Sequence, residues 1–307
     1  MPFFSVVIPL YNKKNYIAAT LQSVLAQTFT DFEIIVINDV STDNSLSMVQ
    51  AVNDSRIRVV SHEKNSGLSA SRNTGIKNAT ADYVAFLDAD DLWKPQFLEK
   101  IQQLIINYPE ADIYGSNYCE VYPNNVIIKH PTELKTGLID NFFKSGIHKH
   151  IYCYSSISFR KNIFEKVGYF NEEINMGEDI DFNVKANLTG ILAYIDEPLA
   201  DITMFSENQI THSSLLGKTI IDHDYYEKSN PENAPLKKYL DFHRYTMANR
   251  YKLAGDDANY QKMVKAIQLS NLNYKQTVLL YAPVFLLKFI KKMKAALIRK
   301  GINPTTY

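Results

Sequence analysis

A chain of 307 residues is long enough for one large domain or two, and 46% hydrophobic with 21% charged side chains is the make-up of an ordinary soluble globular protein. Its 33 basic and 33 acidic side chains cancel, which removes the electrostatic case for nucleic acid as a partner. Two cysteines, Cys119 and Cys153, make neither a disulfide framework nor a zinc site and fit a reducing compartment.

The opening Met1-Pro2-Phe3-Phe4-Ser5 lacks the basic region and small-residue cleavage site of a signal peptide, so a cytoplasmic location is expected. Phe4 to Leu10 reads as a strand and Tyr16 to Ala26 as a helix. Phe32 to Asn38 is a second strand, followed by a helix over Ser45 to Val52. Ile57 to Ser61 is a third strand, Ser69 to Asn78 a helix, Tyr83 to Leu87 a fourth strand, and Gln96 to Tyr108 a helix. Val/Ile-rich strands alternating with helices predict βαβ units, hence an α/β fold with a mostly parallel central sheet and helices on both faces. Asp112 to Tyr122 adds a strand, and the aromatic-rich stretch from Gly137 to Asp201 reads as an α+β extension closing over a sheet edge.

Beyond His212 the chain turns polar and helical, interrupted by a loop over Ser229 to Pro235. Residues 213–307 are therefore expected to form a helical C-terminal extension to a domain spanning 1–212. Within it, Thr277 to Leu287 is apolar and is followed by Lys288, Lys291, Lys292, Lys294, Arg299 and Lys300. An apolar stretch this short does not span a bilayer, which takes about 20 helical residues. Segment 277–300 admits two readings: a helix lying on an anionic membrane surface, or a terminal helix packed on the domain with a solvated basic end.

Chemistry gathers at the strand ends. Within Tyr83 to Trp93, the apolar strand Val84 to Leu87 stops at three carboxylates, Asp88, Asp90 and Asp91. Carboxylates this close repel one another, and a divalent cation is the simplest way to hold them. The other reading is an acidic surface turn capping the helix near Pro95. The first strand delivers Pro9, Leu10, Tyr11 and Asn12 to the same edge, where an aromatic is either core packing or, beside an amide, able to stack on a planar base. The second delivers Asn38, Asp39, Ser41, Thr42 and Asp43. Asp43 or Asn44 is read as the cap of the next helix, whereas Asp39 stands where a carboxylate can accept from a base or ribose. In the loop Asn65-Ser66-Gly67-Leu68-Ser69-Ala70-Ser71-Arg72-Asn73-Thr74-Gly75, Gly67 permits a tight turn and Ser69 can cap a helix whose first turn carries Arg72. A cation there opposes the helix dipole, which a phosphate bound by both would explain; the other reading is an exposed Arg72 with no role, since the dipole penalty is small. Gly177-Glu178-Asp179-Ile180-Asp181-Phe182 precedes a helix over Ile180 to Leu188. Its acids are either first-turn residues or a carboxylate able to take a proton, with Asp181 read as a cap or as facing solvent.

Val6-Val7-Ile8-Pro9-Leu10-Tyr11-Asn12, Asn38-Asp39-Val40-Ser41-Thr42-Asp43-Asn44-Ser45, the Asn65 to Gly75 loop, Phe86 to Asp91 and Gly177-Glu178-Asp179, in this order, resemble the inverting family 2 glycosyltransferases. The resemblance covers residues 3 to about 210. It implies the GT-A (Rossmann-like) fold, with 1–110 as the nucleotide-binding half and 111–212 as the half carrying acceptor and base. It implies a nucleotide-sugar donor, with UDP foremost, and a divalent Mg²⁺ or Mn²⁺ held by Asp88 and Asp90 as an Asp-X-Asp motif. Pro9, Tyr11, Asn12, Asp39, Arg72, Asp88 and Ala89 are then expected at the donor site, Tyr11 and Asp39 on the base and Arg72 near ribose or diphosphate. Asp179 becomes the general base and Glu178 its support.

Two departures from the family pattern matter. Val40 stands where members commonly have Gly, and Thr203-Met204-Phe205-Ser206 lacks the basic residues of an aromatic-Arg-X-His stretch, with His212 as a weak substitute. Aromatics and histidines between Phe142 and Tyr154, including His148, His150 and Tyr152, read as an acceptor groove or equally as core. A glycan or lipid-linked acceptor in cell-surface polysaccharide or lipopolysaccharide synthesis is the expected context, at the inner face of a bacterial membrane. The competing readings are a silent nucleotide-sugar-binding module of the same fold and a haloacid-dehalogenase-type phosphatase. The latter wants Thr or Val where Leu92 stands.

Overall fold

The computed structural model describes residues 1–147, 150–210 and 215–302. Its strands are β1 (Phe4–Leu10), β2 (Phe32–Asn38), β3 (Ile57–Ser61), β4 (Tyr83–Phe86), β5 (Leu92–Trp93), β6 (Ile113–Tyr122), β7 (Val126–Lys129), β8 (Gly137–Ile139), β9 (Ile157–Arg160) and β10 (Leu192–Thr203). The helices within this part are α1 (Ile17–Leu25), α2 (Ser45–Gln50), α3 (Gly67–Asn78), α4 (Phe97–Asn107), α5 (Phe142–Ser145), α6 (Ile163–Val167) and α7 (Glu178–Thr189). After them come α8 (His223–Ser229), α9 (Ala234–Ala254), α10 (Asp257–Ala266), α11 (Tyr274–Tyr281) and α12 (Val284–Ile298).

One sheet runs in the order β3-β2-β1-β4-β9-β6-β10-β5, with β7 beside β6 and β8 beside β10. Strands β3, β2, β1 and β4 are parallel neighbours. Strand β9 runs against both β4 and β6, and β10 is parallel to β6. The stretch read as an extension closing over a sheet edge is thus part of the sheet itself. Its aromatics account for this: Phe159 on β9 packs edge-on against Phe86 of β4 at 6.0 Å, continuing the same hydrophobic layer.

Both faces of the sheet are covered at its centre, which is why β1 and β4 read as almost wholly apolar runs, while β3 at the edge is half-buried. Side chains alternate: Val7, Ile35, Ile37, Val84 and Phe86 enter one core, while Val6, Ile8, Ile34, Val36 and Ala85 enter the other. Helix α3 lies close over β1, where Gly75 leaves no room for a Cβ against the Val7 side chain. Successive crossovers carry the chain from β1 out to β3, then back to β4 on the far side of β1. The strand order thus reverses between β1 and β4, and the carboxyl edge at this switch point is the crevice where ligands of such sheets bind.

The C-terminal helices are tied into this body. Leu236, Tyr239 and Leu240 of α9 join the core on one face of the sheet, and Phe242, Tyr245 and Ala248 form a further core with Tyr260, Met263 and Leu280. Asp181 neither caps α7 nor faces solvent: it is buried, accepts from the Tyr226 hydroxyl at 2.7 Å and pairs with Lys185 at 3.2 Å. That contact couples α7 to α8. The apolar stretch Thr277 to Leu287 is also not one helix. Pro283 lacks an N–H and forces Ala282 into an extended conformation (ψ 144°), which separates α11 from α12.

Candidate functional site

The loop after β1 is built around Asn12, whose backbone is left-handed at φ 50°, a conformation asparagine tolerates. Its Oδ1 accepts from the Thr42 N–H at 2.7 Å and the Asp43 N–H at 3.3 Å, holding the loop after β2. Asn12 is therefore a brace between the two loops. Pro9 and Ala89 are buried, and the Ala89 carbonyl accepts from the Thr20 hydroxyl at 3.0 Å. Tyr11 is 42% exposed, leaving a ring open at the crevice.

Asp39 is nearly saturated by protein. Its Oδ1 meets His62 Nδ1 and the Ser66 N–H, each at 2.8 Å, and its Oδ2 accepts from the Gly67 N–H at 2.8 Å. Those two N–H groups open α3, so Asp39 does the capping expected of Ser69, and one acceptor position remains on Oδ2. Asp43 caps α2 by accepting from the Ser45 N–H at 2.9 Å. Between them Val40 sits at φ 59°. A β-branched residue there is strained by ~1–2 kcal/mol, and the loop keeps a geometry that glycine would adopt freely. We expect Val40→Gly to stabilise the protein by ~0.5–1 kcal/mol after the entropic cost of glycine, read as a higher melting temperature. A lower one would refute the strain.

Each of the three carboxylates after β4 has its own protein partner. Asp88 accepts from Arg72 Nη2 at 3.2 Å. Asp90 pairs with Lys13 Nζ at 2.7 Å and accepts from the Ser206 hydroxyl. Asp91 accepts from the Ser155 hydroxyl at 2.5 Å and the Thr203 N–H at 2.8 Å. Burial, together with the charges of Asp90 and Asp88, pushes the Asp91 carboxyl well above the usual range. Asp91 thus ties the loop to β10 and the turn before β9.

Arg72 joins the two acidic motifs. Because α3 begins at Gly67, this side chain falls in the second turn rather than the first, where little of the helix-dipole penalty remains. It is 2% exposed, with Nη1 on Glu178 at 3.0 Å and Nη2 on Asp88, and its guanidinium lies 4.3 Å from the centre of the Tyr154 ring. Its charge is balanced by carboxylates, and in this structure it reaches the crevice through Asp88. Gly177, left-handed at φ 75°, turns the chain so that Glu178 and Asp179 open α7. Burial raises both carboxyls above their ordinary values, and Arg72 partly offsets it.

Lys13 and Ser206 carried no sequence signal of their own. Lys13 Nζ also donates to Ser206 Oγ at 3.0 Å and to the Glu207 carbonyl at 2.7 Å. The segment after β10, which brings no basic residue, is thereby supplied with one from the β1 loop. Phe142, Phe143, Tyr152 and Tyr154 are core residues, and the Tyr152 and Tyr154 hydroxyls both donate to Asn183 Oδ1 on α7. His148 and His212 lie outside the described residues.

Asp88 and Asp90 present hard oxygen ligands at one strand end, now balanced by two cations, Arg72 and Lys13, which is the charge a divalent ion would bring. Among the described residues no group of three or more His, Cys, Asp or Glu side chains is placed to hold an ion unaided. A two-carboxylate set fits Mg²⁺ or Mn²⁺ completed by phosphate and water.

Residues 5–168, more than half of the chain, match the family described as Glycosyl transferase family 2. The glycosyltransferase EpsJ of Bacillus subtilis is 31% identical over 202 residues, covering 61% of this chain and 56% of EpsJ. A UDP-Glc:alpha-D-GlcNAc-diphosphoundecaprenol beta-1,3-glucosyltransferase of Escherichia coli, WfgD, is 37% identical over 124 residues, covering 40% of this chain and 48% of WfgD. The chain spans about half the length of these two curated relatives. The crystal structure of S. aureus TarS 1–349 in complex with UDP-GlcNAc superposes with a TM-score of 0.69 at 20% identity, covering 97% of this chain and 92% of that one. That likeness shows the fold, the α/β GT-A arrangement expected from the sequence.

Proposed function

The chain belongs to glycosyl transferase family 2, and from that premise we propose that it transfers a sugar from a nucleotide-diphosphate donor, a UDP-sugar, to a hydroxyl of a glycan or lipid-linked acceptor, inverting the anomeric carbon. Residues 1–212 carry the reaction, 1–110 holding the donor and 111–212 the acceptor and base. The observation that supports this most directly is Arg72 bridging Asp88 and Glu178: one guanidinium links the loop that meets the diphosphate to the first turn of α7, which carries Asp179. WfgD and the putative teichuronic acid biosynthesis glycosyltransferase TuaG of B. subtilis, 45% identical over 101 residues covering 32% of this chain and 40% of TuaG, favour a role in cell-surface polysaccharide assembly.

In this reading Tyr11 stacks on the base, and the acceptor position left on Asp39 Oδ2 takes the N3–H of uracil. Asp88 and Asp90 hold a divalent ion, whose role when bound is to stabilise charge on the departing diphosphate. Asp179 accepts the proton of the acceptor hydroxyl as that oxygen attacks from the face opposite the leaving group. Glu178 holds Arg72, which keeps Asp88 in place. Lys13 supplies the cation missing from the segment after β10, leaving Asp90 for the diphosphate as the donor enters.

Lys13→Gln is expected to weaken UDP binding by about 10-fold or more, the worth of a charge-assisted hydrogen bond. Calorimetry without and with Mn²⁺ reads it, and an unchanged Kd would remove Lys13 from the donor site. The reading as a whole is tested by titrating the protein with UDP and GDP, each with and without Mn²⁺. Metal-dependent UDP binding supports it. Preference for GDP would discard the uracil assignment at Asp39, and no binding by folded protein would favour a silent module.

A further inference from the structure

The sugar-transfer reading leaves the end of the chain unexplained. Helix α12 has three sectors around its axis. Leu287 and Ile298 are buried, and α12 packs against α9. A second sector shows Phe285, Phe289 and Met293, spaced one helical turn apart and 74%, 58% and 49% exposed. Between these two, on the open side, stand the exposed Lys288, Lys291 and Lys292. The neighbouring α11 adds Tyr274, Val278 and Tyr281, exposed along one face of its own. Water gains nothing from a row of aromatics placed beside a row of lysines.

Charge indicates what covers this face. No Asp or Glu occurs after Asp257, while nine Lys and Arg do, from Lys262 to Lys300. Because the whole chain sums to zero, everything before residue 258 carries a net charge of −9. The molecule is therefore a charge dipole whose basic end also bears the exposed aromatics. We propose that α12, with α11 beside it, docks on an anionic lipid bilayer. Phe285, Phe289 and Met293 enter the headgroup boundary while Lys288, Lys291 and Lys292 meet the lipid phosphates. A second copy of the chain is a poorer occupant, since two-fold pairing would set one lysine row against another. Among the described residues no helix is long and apolar enough to cross a membrane, so the contact is peripheral. The inference is independent of the donor site, and its failure would leave the sugar-transfer reading standing.

The test is co-sedimentation of the full chain with vesicles of phosphatidylglycerol and phosphatidylcholine in a one-to-two ratio, against phosphatidylcholine alone. Binding to the anionic vesicles is expected to exceed binding to the neutral ones by ~10-fold or more and to fall as salt rises. Lys288→Gln/Lys291→Gln/Lys292→Gln and, separately, Phe285→Ser/Phe289→Ser should each cut it by ~10-fold or more. Melting temperatures should not move, because all five side chains are exposed. Equal sedimentation with both vesicles, or unchanged binding by the lysine variant, would overturn the proposal. So would concentration-dependent dimers that Phe285→Ser/Phe289→Ser dissolves while anionic vesicles stay bare.

Discussion

Asp179→Asn is expected to fold normally and to bind UDP as the wild type does, yet to lose sugar transfer by at least ~10²-fold. The substitution keeps the shape of the side chain, and its Oδ1 can still accept from the Ile180 N–H, which Asp179 does at 2.9 Å. It removes the one thing the proposed role needs, an oxygen that takes up a proton. Burial places this carboxyl above an ordinary aspartate, with Arg72 pulling against it. A base works only when ionised, so wild-type kcat/KM should fall as pH drops through that raised value. The acidic limb should therefore lie above the pKa of a free aspartate, and it should be absent from whatever activity Asp179→Asn retains. Glu178→Gln differs in kind: it breaks the ion pair with Arg72 and so disturbs Asp88 as well, lowering donor binding together with turnover. Release of UDP in the presence of acceptor is the readout. Near-normal turnover in Asp179→Asn would exclude it as the base.

The second large effect is expected at the donor. Asp90→Ala should abolish the gain in UDP affinity that Mn²⁺ provides, because a two-carboxylate site cannot lose one ligand and keep the ion. It also strips Lys13 Nζ of its carboxylate, leaving it the Ser206 hydroxyl and the Glu207 carbonyl. Asp90→Asn keeps an oxygen for both groups and separates the two effects: the loop stays ordered while metal dependence is lost. Since Lys13 and Asp90 touch, their substitutions should not add, and Lys13→Gln should weaken UDP binding less in the Asp90→Ala background than in the wild type. UDP affinity unchanged by Asp90→Ala with Mn²⁺ present would contradict the assignment of Asp90.

The position of Val40 shows how far a family pattern reaches. The glycine commonly found there is missing, but the left-handed turn is retained because Asn12 and Asp39 clamp the chain on either side. A turn is set by the hydrogen bonds that surround it as well as by the residue within it. The lack of basic residues in Thr203-Met204-Phe205-Ser206 is of the same sort. A cation stands beside that segment, delivered by a lysine far away in sequence.

What the sequence alone determined is local. The spans of β1, β2 and β3 are legible residue for residue: β1 and β2 because strands buried on both faces are almost wholly apolar, β3, half-buried at the sheet edge, because a short Val/Ile run stands between polar segments. The side of the sheet on which the polar groups gather is legible too, since each group directly follows a strand. The break at Pro283 was written in the sequence as plainly, and the apolar run around it obscured it. Tertiary structure alone decided which partner each charge has. Arg72 meets Glu178 across 106 positions, Lys13 meets Asp90 across 77, and Asp181 meets Tyr226 across 45. No periodicity encodes such pairs. They exist because crossovers of the sheet bring distant loops to one crevice, where a buried charge must find its counterion among whatever arrives.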